Sequence, residues 1–160
     1  MDFESGLTQC LPRLRRFAHA LSRNRADADD LTQSTLERAL SARRQWQPGT
    51  RLDSWLYRIM RNLWIDTARS RARKGKFEAP PEAGDSVGID PRPGMEASLD
   101  LATVMAAMTK LPDEQREVVA LILVEGFGYR EAAELLGLPI GTVSSRLVRG
   151  RTALLHLVGE

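Results

Sequence analysis

A single cysteine, Cys10, and two histidines, His19 and His156, leave this chain without the means for an internal disulfide or a His/Cys metal cluster. Both histidines flank apolar helical positions and read as packing or surface residues. No nucleophile–base pair, glycine-rich phosphate loop or paired-carboxylate motif emerges, so neither enzyme activity nor a cofactor is expected. Apolar runs of membrane-spanning length are missing, and the first residues, MDFESGLTQC, have neither a basic leader nor a signal-peptide core. A cytoplasmic protein with no membrane insertion is therefore expected. Net charge is scarce as well, at +2 over 160 residues, which taken alone is a weak argument for nucleic acid.

The charge is unevenly placed. Residues 1 to 78 carry +7, residues 79 to 97 carry −3, and residues 98 to 160 carry −2. A basic unit, an acidic connector and a near-neutral unit follow one another, as separate modules do. The connector, 76 to 97, has four prolines and no apolar periodicity, and reads as a flexible linker. Apolar residues on either side recur at three- and four-residue steps. The fold class expected is all-α: two small helical domains, 1–75 and 98–160, joined by that linker, with a helix-turn-helix in the second.

The first domain reads as three helices. Leu7, Leu11, Leu14, Phe17, Ala18 and Leu21 form one stripe, which Pro12 is expected to kink or restart. Asp27 is placed to cap a second helix running from Ala28 to about Arg43, with Leu31, Thr35, Ala39 and Ala42 inward. Asp30, Gln33, Glu37 and Arg38 then face solvent, and an acidic, amide-bearing face on a basic domain suits a protein contact. After a Pro48-Gly49 loop, Asp53 or Ser54 is expected to cap a third helix reaching Lys74, whose stripe includes Leu52, Trp55, Leu56, Ile59, Met60 and Leu63. Arg58, Arg61, Asn62, Arg69, Arg71, Arg73 and Lys74 lie off that stripe, interleaved with Tyr57 and Trp64. Rings beside cations are the ingredients for holding single-stranded bases. Trp55 belongs to the core, while Trp46, Tyr57 and Trp64 are open to either role.

In the second domain a helix resumes near Ser98, and Pro112 opens another that stops at Gly126. Tyr129 to Leu155 then has the spacing of a helix-turn-helix, with Ala133 for close approach, Gly137 for the turn and Val143 as the plug. Pro139 suits the first turn of the second helix. Ile140, Val143, Leu147 and Leu154 share its buried face, leaving Thr142, Ser144, Ser145, Arg146, Arg149 and Arg151 for base edges and phosphates. A plain helical hairpin with a solvated face is the bland alternative.

Four stretches together resemble the bacterial sigma factors of extracytoplasmic-function type in the sigma-70 family: DADDLTQSTLERAL, SWLYRIMRNLWID, LPDEQREVVAL and AAELLGLPIGTVSSRLVRGR. They occur in the family's order, with a linker where the family has one. The resemblance implies a stress-response transcription initiation subunit that docks on core RNA polymerase, at its clamp helices and flap, and reads promoter DNA. By motif position Asp30, Gln33 and Glu37 meet the clamp helices, though Ser34 stands where the family often has an acid. The stretch from Trp46 to Asp53 corresponds to the loop that captures a flipped base of the minus-ten element. Arg58, Arg61, Asn62 and Asp66 match the helix reading that element, with Arg69 further along it. Thr142, Ser145, Arg146 and Arg149 fall where the minus-thirty-five element is read, with Ser144 at a position the family often fills with lysine, and Arg130 and Arg151 are suited to phosphates. The acidic linker would follow the path of nascent RNA. An anti-sigma factor is a further implied partner. Against this stand a free-standing helix-turn-helix regulator and a pure adaptor.

Overall fold

The computed structural model describes residues 2–75 and 96–159, without the side chains of 96–100. Seven α-helices and no strand are found among the described residues, and they divide into two compact units. The linker expected over 76–97 lies outside the described residues, except that its last two positions already belong to a helix.

The first unit holds α1 (Phe3–Ser22), α2 (Arg25–Ser41) and α3 (Leu52–Arg73). Contrary to the expected restart, α1 is continuous through Pro12. That residue is exposed, so water can take the carbonyl that its missing N–H leaves behind. The chain turns at Arg23, whose φ of 59° is uncommon for a residue with a Cβ. Leu14 and Phe17 of α1 and Leu56, Tyr57 and Met60 of α3 are fully buried. At about 1.5–3 kcal/mol for each large side chain removed from water, this stripe is what holds α1 against α3. Phe17 and Tyr57 stack with centroids 4.9 Å apart. Thr35 of α2 is buried too, and its hydroxyl donates to the Leu31 carbonyl at 2.8 Å, which settles its polar atom within its own helix.

Neither expected aspartate cap forms. Helix α2 begins at Arg25, ahead of Asp27, and the Asp27 carboxylate accepts a two-pronged bond from Arg71 at 2.7 and 2.9 Å. Position 51 precedes α3, and Asp53, inside its first turn, is engaged by Arg51 and Arg13. A guanidinium outcompetes a backbone N–H for a carboxylate because the bond is charge-assisted at both ends. Asp53 still accepts the Ser54 N–H at 2.7 Å.

The second unit contains α4 (Glu96–Met108), α5 (Asp113–Val119), α6 (Tyr129–Leu136) and α7 (Ile140–Val158). Pro112 and Pro139 sit one position outside their helices in extended backbone, each accepting the first helical N–H bonds. Helix α5 runs on into a π-turn over Ala120–Val124, where Glu125 N–H reaches the Ala120 carbonyl at 2.9 Å. Gly126 then turns with φ 80° and Phe127 drops into the core at 3% exposure. Helix α7 packs against α4, α5 and α6. Val143, Leu147 and Leu154 are buried as expected, but Ile140 is 50% exposed: it occupies the first position of α7, before the helix reaches the core.

Candidate nucleic-acid interfaces

The corner between α6 and α7 is built by hydrogen bonds rather than by contact alone. Gly137 adopts φ 67°, its N–H donates to Glu134 O at 3.3 Å, and Leu138 N–H donates to Ala133 O at 3.0 Å. These two bonds close the end of α6 in the Schellman manner, which a residue with a Cβ adopts only with strain. At its other end α6 is capped by Glu131, whose Oε1 accepts the Gly128 N–H at 3.0 Å. Ala133 and Val143 are both buried, so the small residue and the plug meet their expected roles.

With about 100° between successive helical residues, Thr142, Ser145, Arg146 and Arg149 fall on one side of α7. Arg149 is exposed, and Arg146 reaches back to Glu114 at 3.4 Å. Ser145 donates to the Thr142 carbonyl at 3.2 Å. Ser144 and Arg151 are not brought together with these four. They lie roughly opposite, on the side that carries the exposed Val148 and Leu155. Arg130 is exposed in the first turn of α6.

On α3, Arg58, Asn62, Asp66 and Arg69 are exposed and Arg61 half-buried, all within one arc away from the core. Arg71, at the end of this helix, has its guanidinium 5.6 Å from the Trp64 ring. The three rings left open by sequence separate clearly. Tyr57 is wholly buried and joins the core. Trp64 is half-buried under Arg71, and Trp46 is half-buried against Phe3 at 5.8 Å. Trp55 is also half-buried, edge-on to Phe3 at 6.0 Å.

Charge near the α2–α3 loop is concentrated on Asp53. Burial pushes its carboxyl up, but the hydrogen bonds and charge of Arg51, the Ser54 N–H and Arg13 together hold it below the ordinary carboxylate value. Nearby, burial first and Asp53 second push the Cys10 thiol up, away from the thiolate form. On α2, Asp30, Gln33 and Glu37 are exposed on one face, with Gln33 Nε2 3.4 Å from Glu37 Oε2. Leu40, one turn on, is 44% exposed.

Sequence reasoning missed Arg116, Gly150 and Phe3. Arg116 is 2% exposed and bonded to the Leu111 carbonyl at 2.7 Å. A Cβ on Gly150 would stand 2.8 Å from Val119 Cγ2, so α7 meets α5 by close approach there. Position 116 stands among Asp113, Glu114, Gln115 and Glu117, so its local sequence reads as solvated, and nothing local marks the other two either. No cluster of three or more His, Cys, Asp or Glu that could hold a metal occurs among the described residues, and none of the described helices is long and apolar enough to cross a membrane.

Residues 7–61 match the family model described as the sigma2 domain of PhyR, and residues 101–154 match sigma-70 region 4. The chain is 41% identical over 153 residues to the ECF RNA polymerase sigma factor EcfG of Rhodopseudomonas palustris, covering 92% of this chain and 80% of that one. It is 42% identical over 146 residues to the ECF RNA polymerase sigma factor SigE of Mycolicibacterium smegmatis, covering 89% of this chain but 56% of that relative. Among solved structures, the sigma factor RpoE in complex with the anti-sigma factor NepR from Bartonella quintana superposes with a TM-score of 0.84 at 37% identity, over 99% of this chain and 97% of that one.

Proposed function

Because the chain belongs to the RNA polymerase sigma factors of extracytoplasmic-function type, we propose that its two units divide promoter recognition between them while the first also docks on core polymerase. The observation that carries this is the gathering of cations on one side of a helix in each unit: Arg58, Arg61 and Arg69 on α3, and Arg146 and Arg149 on α7, with Arg61 and Arg146 half-buried and the others exposed. A helix in the major groove meets base edges with such a face, so α7 reads the minus-thirty-five duplex through Thr142, Ser145, Arg146 and Arg149. Arg130, at the start of α6, takes a phosphate. Ser144 and Arg151 would need the flank of α7 to approach the backbone, a lesser contribution than the sequence suggested.

The first unit, residues 1–75, works on opened DNA. Asn62 and Asp66 supply the polar edges and Arg58, Arg61 and Arg69 the phosphate contacts, while the loop from Trp46 to Asp53 takes an unstacked base. Unpairing costs a few kcal/mol per flipped base. A unit of this size does not supply that alone, and the exposed Asp30, Gln33 and Glu37 face of α2 gives core polymerase its grip. Residues 76–97, acidic in sequence, connect the two readers. The complex formed by the Bartonella relative supports an anti-sigma factor as the restraining partner here as well.

Reconstituted transcription with core polymerase, on promoters substituted base by base, tests the division. Arg149→Ala is expected to lose ~1–3 kcal/mol of discrimination at one minus-thirty-five position if the contact is bidentate to guanine, and less if it is to phosphate. Tight, sequence-specific duplex binding without polymerase, together with unchanged transcription, would instead identify a free-standing regulator.

A further inference from the structure

The loop between α2 and α3 is fastened to α1 at both of its stems. At the leading stem Phe3 packs against Trp46, with centroids 5.8 Å apart, and meets Trp55 edge-on at 6.0 Å. The Arg43 guanidinium lies 5.1 Å from the same Phe3 ring and pairs with the Glu4 carboxylate at 3.4 Å. At the trailing stem Arg51 and Arg13 converge on Asp53, at 2.8 and 3.1 Å from Oδ2. Between the stems Gln47, Pro48, Gly49 and Thr50 are exposed and closed into a turn. Thr50 donates to the Gln47 carbonyl from both its N–H, at 3.1 Å, and its hydroxyl, at 2.6 Å. Gly49 takes φ 93°, which completes the turn without strain.

This geometry changes the place of Trp46. Its ring meets Phe3 at a tilt of 50° and its indole nitrogen is buried, so it anchors the loop instead of standing free as a stacking platform. The tip beyond it is what remains for a base. We propose that Phe3 and Arg13 of α1 are positioning residues for base capture, holding the stems so that the Gln47–Thr50 tip meets an unstacked base already shaped.

The inference rests on the base-capturing role proposed for this loop. Its physical ground is the small contact area of one base: each side chain that must be immobilised on binding weakens affinity by about two- to tenfold, so a tip ordered beforehand gains that much. The two fastenings differ in strength. Glu4 and Arg43 are both well exposed, and such a pair contributes little. Phe3 carries the leading stem by ring contact, and Arg13 carries the trailing one through Asp53, whose side chain is 13% exposed.

The test uses the full chain assembled with core polymerase and measures open-complex formation on promoters carrying each base at each minus-ten position. Gln47→Ala and Thr50→Ala probe capture itself and are expected to flatten the preference at one position. Phe3→Ala and Arg13→Ala are expected to lower the preference at that same position by about tenfold. Dependence on the minus-thirty-five sequence and affinity for core polymerase should not change, and Phe3→Tyr should restore the preference. If the tip variants alter the preference and the α1 variants do not, the positioning role is overturned while base capture stands. If the tip variants change nothing, base capture fails and the α1 role with it. A uniform loss on every promoter, accompanied by a lost melting transition, would also overturn the positioning role by making Phe3 and Arg13 merely structural.

Discussion

Arg116 and Arg149 stand on adjoining helices of one unit in opposite chemical situations. Arg149 projects from α7 into solvent. Arg116 is buried and donates to the Leu111 carbonyl and to Asp113 Oδ1, at 2.7 and 2.5 Å. Burial pushes its pKa down and Asp113 pulls it back. The intrinsic value of a guanidinium is so high that the charge persists. Its task is to satisfy the carbonyl that ends the α4–α5 connection, and this makes its replacement a stability experiment. Arg116→Met keeps most of the packing and leaves the carbonyl unpaired, at about 1–3 kcal/mol. Arg116→Ala adds a cavity and should reach about 2–5 kcal/mol. Asp113 is 84% exposed, so Asp113→Asn should remain under about 1 kcal/mol. Denaturant unfolding of the three variants checks the ranking; equal losses would mean that the ion pair, not the carbonyl bond, is what matters.

At the scale of elements, α7 is fixed by a glycine that the sequence pattern does not reveal. Gly150 is buried where α7 crosses α5, and a Cβ there would meet Val119 Cγ2 at 2.8 Å and Gln115 Cβ at 3.3 Å. Gly141, in the first turn of the same helix, has nothing within 4 Å. Alanine is preferred to glycine within a helix by about 0.8–1 kcal/mol, so Gly141→Ala should stabilise by roughly that much. Gly150→Ala gains the same propensity but forces the helices apart, and overpacking of about 1–3 kcal/mol outweighs it. Opposite shifts in thermal midpoint are the expected result, and a stabilised Gly150→Ala would show that the crossing yields easily. The pair also marks what was legible in advance. Helical periodicity and the Ala133, Gly137, Val143 spacing located the helix-turn-helix because those signals are local. Whether a glycine is tolerated or required depends on what lies across the interface, and Tyr57 looked like a candidate platform for the same reason, its partner Phe17 being on another helix. Asp27 looked like a cap because Arg71, which claims it, is distant in sequence, and Asp53 is shared between its neighbour Arg51 and the distant Arg13. Arg151 and Ser144 shared a polar run with Arg149, yet the helical turn sends them to the other side.

For the whole molecule, the division of charge explains why the recognition helix is not expected to act alone. Residues 98 to 160 carry a net −2, so the exposed arginines of α6 and α7 work against an unfavourable background when duplex DNA is distant. Each phosphate they neutralise contributes about 0.9 to the logarithmic salt slope, and few such contacts are available in this unit. Weak duplex binding with a shallow salt slope is therefore expected of the isolated chain. The first 78 residues carry +7 and concentrate it partly on α3, whose proposed task begins only after strands separate. In the proposed function, core polymerase would close this gap by holding both units on one promoter, so that the second contact becomes intramolecular and gains from effective concentration. Binding to a minus-thirty-five duplex should therefore be measured against salt for the isolated chain and for the chain with core polymerase on a full promoter. Arg130→Ala should lower affinity alike on every sequence and reduce the slope by ~1, as loss of a phosphate contact does, whereas Arg149→Ala should change the ranking of sequences. An isolated chain that bound its duplex as tightly and selectively as the assembled complex would contradict this division, because the charge balance of its second unit gives it no means to do so.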